Sequence, residues 1–574
     1  MKRFSVSGSI FSVARAAAVL LAALYVIVAP GGSWAAPVSP FPQAAIASAH
    51  PLATEAGYEI LKRGGNAFDA AVAVAATLAV VEPYSSGLGG GGFFLLHRAA
   101  DGRDVMVDGR ETAPADVASA QYFDRNGQPI PRASTRGGTS IAIPGVPAAL
   151  VHVAQRYGRL PLGESLAPAV RYAREGFAVD PRYARVARLR EQLLQENGDT
   201  AKAFLDQNRA PAPGFVLRQP ELASTLELIA RDGRNGFYAG RVARALVQAV
   251  NKAGGVWRVA DLEHYKIVER EPVRFTYRGA TITAAALPSA GGIALAESLG
   301  MLERFELSDV SRPETAHLVI EALRRAFQDR ARYLGDSDFV PVPVATLLSK
   351  DYAKQRAATI DPDAATKSGN LDGDRALHAE GSNTTHFSVI DMDGNRVGAT
   401  LSINLLFGSG IVAGDTGVLL NNEMDDFTLR PDVPNSFHLR GSMANAIAPG
   451  KRPLSSMTPT FVEDRRGVLI LGAPGGSRIV SQVLLAILEY LNSPQIDLQR
   501  LVAIPRYHHQ YWPDRVEIEP EGFTPEWRAA IEAKGHAIQV VNRKWGNMQV
   551  VFKSKQNGVA QAASDPRGAD VGWY

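Results

Sequence analysis

Gly381-Ser382-Asn383-Thr384-Thr385-His386-Phe387-Ser388-Val389-Ile390-Asp391 is the stretch on which the fold turns. Upstream, from about Asp361 to Asn383, the chain is polar and rich in Gly, Asp, Asn and Ser, the composition of an exposed loop. At Thr384 the character changes. Thr385, Phe387 and Val389 alternate with Thr384, His386 and Ser388, the period of a half-buried strand. Asp393-Gly394-Asn395 then supplies a tight turn, and Arg396 to Asn404 reads as a second strand of a hairpin. A threonine therefore stands where a loose tail enters a rigid sheet.

That position has a chemical use. A threonine hydroxyl is a weak nucleophile and needs a base beside it. A free α-amine, with a pKa of roughly 7.7–8, is a suitable base near neutral pH. Within an uncut chain the same nitrogen is an amide and has no basicity. Cutting the Asn383–Thr384 bond would create nucleophile and base on one residue. Taken singly, Thr384 is an ordinary β-branched residue opening a strand; the surrounding segments decide between the two readings.

The chain has 574 residues, enough for one large sandwich or two domains. Residues 1–35 read as a secretory signal: Lys2, Arg3 and Arg15 make the basic start, Ala16 to Val28 the apolar stretch, and Ser33-Trp34-Ala35 the small-residue cleavage site. An uncleaved anchor is the alternative, although the apolar stretch is short for a bilayer. The expected location is periplasmic or secreted. The net charge of +3 lies wholly in that segment, because removing its three basic residues leaves 58 basic against 58 acidic side chains. A neutral mature chain has no field that would draw it to nucleic acid or to an anionic membrane. A small-molecule partner is expected. There is no cysteine, hence no disulfide and no lipid attachment site.

Residues 44–82 read as two helical pieces broken at Gly64-Gly65, the second apolar nearly all round. Ser85-Ser86-Gly87-Leu88-Gly89-Gly90-Gly91-Gly92 leads into a Phe93–Leu96 strand. Without a following Lys-Ser or Lys-Thr, the glycines mark close backbone approach rather than a nucleotide loop. Residues 148–330 are largely helical, including Thr225–Asp232 and Pro313–Leu334. A strand at Thr281–Leu287, a Pro288–Gly292 turn and a helix from Ile293 follow. Later helices are expected at Val480–Leu491 and Pro525–Lys534. His508-His509 invites a metal reading, but adjacent residues on an extended chain face opposite ways, and no zinc-type spacing exists. Both are read as structural, with no metal and no cofactor expected.

Four further segments carry the argument: Asp108-Gly109-Arg110-Glu111-Thr112-Ala113-Pro114; Gly414–Gly417 with Leu419–Phe427; Lys451-Arg452-Pro453-Leu454-Ser455-Ser456-Met457; and Gly472-Ala473-Pro474-Gly475-Gly476-Ser477-Arg478. Together with the Thr384 run they resemble the gamma-glutamyltransferase (gamma-glutamyltranspeptidase) family of N-terminal-nucleophile hydrolases. The resemblance runs in order from about Ala44 to Ala562–Arg567. It implies an α+β fold, a four-layer αββα sandwich. It implies a precursor that cuts itself into a large subunit (36–383) and a small one (384–574), which stay together. It implies transfer of the γ-glutamyl group of glutathione and related amides to water, amino acids or peptides.

The resemblance also assigns roles. Thr384 is the nucleophile and Ser402 supports it, standing where the family usually has threonine. Gly475 and Gly476 supply N–H groups to the oxyanion. Arg110, Ser455 and Ser456 hold the donor carboxylate, and Asp426, Glu423 and Asn404 its ammonium. Taken singly, Arg110 is a local partner of Asp108 or Glu111, and Asp426 a solvated acid or helix cap. Residues Thr428–Gly441 match a lid that in many bacterial relatives carries a tyrosine; Phe437 stands there, so the latch and the balance of hydrolysis and transfer are in question. Two alternatives stay open: a cephalosporin or glutaryl acylase on the same framework, and a periplasmic protein that binds γ-glutamyl compounds without turning them over.

Overall fold

The computed structural model describes Met1, residues 41–370 and residues 384–569. The leader-like segment and Asn383 lie outside the described residues. Thr385–Ile390 and Arg396–Ser402 form the expected antiparallel hairpin, closed by a turn in which Asn395 and its own side chain bond Asp391. The hairpin lies in the middle of a six-stranded antiparallel sheet. Its order is Ala45–Ser48, Thr385–Ile390, Arg396–Ser402, Gly91–Arg98, Arg103–Gly109 and Val268–Arg270.

The expectation of a half-buried strand is corrected: every residue of Thr385–Ile390 is buried. A second six-stranded sheet covers its polar face. That sheet runs Ala560–Ser564, Gln549–Ser554, Gly467–Gly472, Thr460–Glu463, Ala280–Ala284 and Val273–Tyr277. Phe387 and Val389 enter the core under the helices. His386 and Ser388 point the other way, where Ser388 Oγ donates to the Gln549 carbonyl at 3.0 Å and His386 bonds Thr400 Oγ1 at 2.8 Å. Alternation persists in the sequence because the inter-sheet face is partly polar and internally hydrogen-bonded.

Helices complete the outer layers. Ala67–Val81 is buried on all sides, is opened by an Asn66–Asp69 capping box, and packs across the hairpin strands. Val146–Tyr157 covers Arg103–Gly109. On the second sheet lie Gly291–Leu302 and Arg478–Asn492, with Pro313–Tyr333 against the former. The result is the four-layer αββα sandwich of the α+β class, and residues 41–370 and 384–569 belong to one compact unit. Most element expectations hold within a few residues, including Pro220–Asp232 and Pro525–Ala533. One does not: Ala45–Ser48, read as helix, is an edge strand paired with Thr385–Ile390. No helix among the described residues is long and apolar enough to cross a membrane.

The glycine run is a close approach, as its sequence implies. Gly91 and Gly92 pair with Ser402 and Leu401. A Cβ on Gly90 would overlap the Ser402 carbonyl, and one on Gly89 the Leu419 carbonyl. The run therefore lets two strands and the Leu419–Asn422 segment meet beside the start of the hairpin.

Candidate active site

Thr384, Ser402, Asn404, Arg110, Glu423, Asp426, Ser455, Ser456 and Gly476 line one cavity. They come from distant parts of the sequence, and strand ends and tight turns bring them together. Thr384 sits buried just before its strand, with its hydroxyl 3.4 Å from that of Ser402 at the end of the partner strand. Ser402 Oγ accepts the Asn404 amide at 2.8 Å. Asn404 has φ of +71° and donates its side-chain amide to the Asn422 carbonyl at 2.9 Å. Asn421 bonds the Gly89 and Ala142 carbonyls and accepts the Glu423 amide, which fixes the Glu423–Asp426 turn against the glycine run.

Arg110 follows the Arg103–Gly109 strand and is fully buried. Its guanidinium pairs with Glu423 and, at 2.5 Å, with Asp426, and its Nε donates to the Pro453 carbonyl at 3.1 Å. The local reading of Arg110 holds only in part, since Glu111 does meet its guanidinium but Glu423 and Asp426 are nearer. Asp108 accepts only the Arg110 backbone N–H and pairs with Arg270, while Glu111 stands farther off at 3.5 Å. Asp426 is neither a cap nor a free surface acid. Burial opposes the charge on Arg110, but Glu423, Glu111 and Asp426 hold its pKa above the usual value. Burial lifts Glu423 and Asp426 above the usual carboxylate range while Arg110 pulls them down. Three carboxyl groups crowd one guanidinium, so their charge is easily redistributed when another ion arrives.

The Pro288–Gly292 turn has a role that its sequence did not reveal. The Ser455 N–H donates to the Pro288 carbonyl and its carbonyl accepts from Ala290, so the turn clamps Ser455-Ser456 at the cavity wall. Ser456 Oγ and Glu423 Oε2 are enclosed without a hydrogen-bond partner among the described residues.

Gly475 and Gly476 follow the Gly467–Gly472 strand with φ of +135° and +57°, values that favour glycine. Among the described residues neither of their N–H groups donates a hydrogen bond. The helix Arg478–Asn492 begins just after them, so its positive end faces the same place. Gly476 reaches the cavity; Gly475 is the residue behind it.

His508 and His509 hold different partners. His508 meets Ser481 and Gln510, and His509 meets Asp514 and the Tyr511 amide. Phe437 lines the cavity with Leu439. In place of a tyrosine hydroxyl, its own carbonyl accepts the Gln510 side-chain amide at 2.9 Å, and Gln510 Oε1 accepts the Ser477 hydroxyl at 2.5 Å. Gln510 thus ties the Thr428–Gly441 segment to the Gly475–Ser477 turn. Arg440, stacked on Trp512 at 4.6 Å, ties it again. Sequence reasoning missed Gln510, because two adjacent histidines drew attention from it. It also missed Arg330, which lines the cavity from the Pro313–Tyr333 helix.

A sequence model of the Gamma-glutamyltranspeptidase family matches residues 53–573. The chain belongs to this family. The glutathione hydrolase proenzyme of Escherichia coli (strain K12) is 39% identical over 532 residues, covering 92% of this chain and 91% of that protein. The Acylase ACY 1 proenzyme of Pseudomonas sp. (strain V22) is 36% identical over 525 residues, or 90% of each chain. The crystal structure of cephalosporin acylase from Bacillus halodurans superposes with a TM-score of 0.79 at 28% identity, covering 93% of this chain and 98% of that one. The αββα sandwich is therefore that of the gamma-glutamyltranspeptidases and the related acylases, and the Thr384 cavity lies within the matched region.

Proposed function

We propose that this chain is a self-processing gamma-glutamyltransferase and glutathione hydrolase with Thr384 as its nucleophile. In the precursor, the Thr384 hydroxyl attacks the Asn383 carbonyl, the acyl group shifts from nitrogen to oxygen, and water releases the amine. Subunits of 36–383 and 384–574 result, after loss of the leader from a periplasmic or secreted precursor. In the mature enzyme the hydroxyl attacks the γ-carbonyl of glutathione while the α-amine takes its proton and passes it to the departing amine. The Gly475 and Gly476 N–H groups steady the oxyanion; one such donor is worth a factor of roughly 10²–10³ in rate. Water, an amino acid or a peptide then attacks the ester and frees Thr384.

One observation carries the reading. The Thr384 hydroxyl shares a cavity with a guanidinium and two carboxylates, the complement of an α-amino acid end. Asp426 and Glu423 favour a donor with an ammonium over the acyl groups that lack one. Thr384→Ala is expected to stay one uncut polypeptide with no turnover, whereas the native chain yields two. Release of glutamate from glutathione, with none from glutaryl amides, separates this activity from an acylase. Two subunits from the alanine variant would refute the nucleophile assignment.

A further inference from the structure

Arg330 is the cation in this cavity that the assignments above leave unused. It sits near the end of the Pro313–Tyr333 helix and is only 5% exposed. The other buried arginines of that helix are satisfied. Arg324 pairs with Glu321 and Asp514 and donates to Ser368, and Arg325 pairs with Glu321 and donates to Thr359 and Thr366. Arg330 differs: among the described residues its side chain makes no ion pair and no hydrogen bond, and its Nε is enclosed without a partner. Burial pushes its pKa down to about 10, so it stays charged at neutral pH; Asp426 is the acid whose field reaches it. Yet Asp426 is already committed to Arg110 at 2.5 Å.

A buried charge left unpaired is costly, and proteins keep one where a ligand supplies the counter-ion. We propose that Arg330 binds the α-carboxylate of the γ-glutamyl donor, together with Arg110 and the partnerless Ser456 hydroxyl. The inference rests on the γ-glutamyl reading and sharpens it. At Arg110 an incoming carboxylate meets a guanidinium already shared by Glu423 and Asp426. At Arg330 it meets one with no competing acid in contact. The donor ammonium then takes the share of Asp426 and Glu423 that Arg110 gives up. The pocket thereby selects a zwitterionic α-amino acid end through two arginines, one paired and one not, and a planar fork suits a carboxylate better than a point charge.

The test compares γ-glutamyl-4-nitroanilide with the same compound carrying a primary amide in place of its α-carboxylate. Wild type is expected to prefer the carboxylate donor by on the order of 100-fold in kcat/KM. Arg330→Gln should lose most of that preference, through KM on the carboxylate donor, with little change on the amide donor. Two subunits on a gel report that the variant folds and cuts itself, since processing needs no donor. Should the glutamine variant fail to process, Arg330→Lys decides: a reduced preference supports the assignment, and full wild-type preference overturns it. Equal loss on both donors, or an unchanged preference in Arg330→Gln, also overturns it. Wild type inactive on both donors would instead remove the γ-glutamyl reading, and this inference with it.

Discussion

The hydroxyl of Thr384 stands 3.4 Å from that of Ser402, and Ser402 Oγ accepts the Asn404 amide at 2.8 Å. The second bond occupies one lone pair of Ser402 and fixes the hydroxyl beside the threonine oxygen. On the proposed mechanism, a hydroxyl at that point would steady the threonine oxygen as it attacks. Ser402→Ala is expected to slow both processing and turnover by about 10- to 100-fold, the effect of losing a hydrogen bond worth ~1.5–3 kcal/mol in the transition state. Ser402→Thr should restore most of it. Measuring the processing half-time and kcat/KM together checks this; a fall in turnover alone would detach Ser402 from the cutting step.

Gly90 offers a test of how the sheet positions the site. A Cβ there would overlap the Ser402 carbonyl, which cannot retreat because Ser402 ends a strand paired on both sides. Gly90→Ala is expected to destabilise the fold by about 1–3 kcal/mol through overpacking, and to impair processing beyond what that loss explains. Thermal melting paired with a processing time course provides the check. A destabilised variant that processes at the normal rate would mean that the strain does not reach Ser402.

Much of this was legible in the chain, for physical reasons. The break at Thr384 is a change from polar tail to alternating strand, and the glycine run, with no Lys-Ser or Lys-Thr after it, reads as a close approach rather than as a nucleotide loop, since both signals are local. Ala45–Ser48 was not legible: four small residues carry no periodicity, and pairing with Thr385–Ile390 makes them a strand. Arg330 was not legible either. An arginine on an amphipathic helix reads as a solvated face, and only the packing of that helix against its neighbours buries it. The role of Gln510 depends on a backbone carbonyl 73 residues away, which no side-chain pattern encodes.

Gln510 bridges the Thr428–Gly441 segment and the Gly475–Ser477 turn. It holds the Phe437 carbonyl and the Ser477 hydroxyl at once. Gln510→Leu keeps the approximate size and removes both bonds, together with those to His508 and the Trp512 carbonyl, so the Phe437 wall should loosen and admit water to the acyl-enzyme more readily. The expected result is a larger share of hydrolysis over transfer at fixed acceptor dipeptide, with processing intact. Product ratios by chromatography, with and without the dipeptide, give the answer. An unchanged ratio would show that this bridge does not control water.

Buried histidines set the acid limit of the fold. Burial pushes His50, His508 and His509 down to about 4, and His386 and His536 to about 3, from an ordinary value of 6.5. Each is neutral when folded and takes a proton when unfolded. Between pH 6.5 and about 4 the unfolded chain therefore binds more protons, so stability is fully present above 6.5 and is lost as the pH falls through that window. The uncut Thr384→Ala chain is the material to measure, because it unfolds as one molecule. Its urea midpoint is expected to drop steadily from pH 7 to pH 4. Adding His386→Gln, which keeps a polar partner for Thr400 but does not titrate, should lower stability at pH 7. It should also flatten the pH slope by up to one proton, ~1.4 kcal/mol per pH unit. A slope identical to that of the parent would mean that His386 is already protonated in the folded chain.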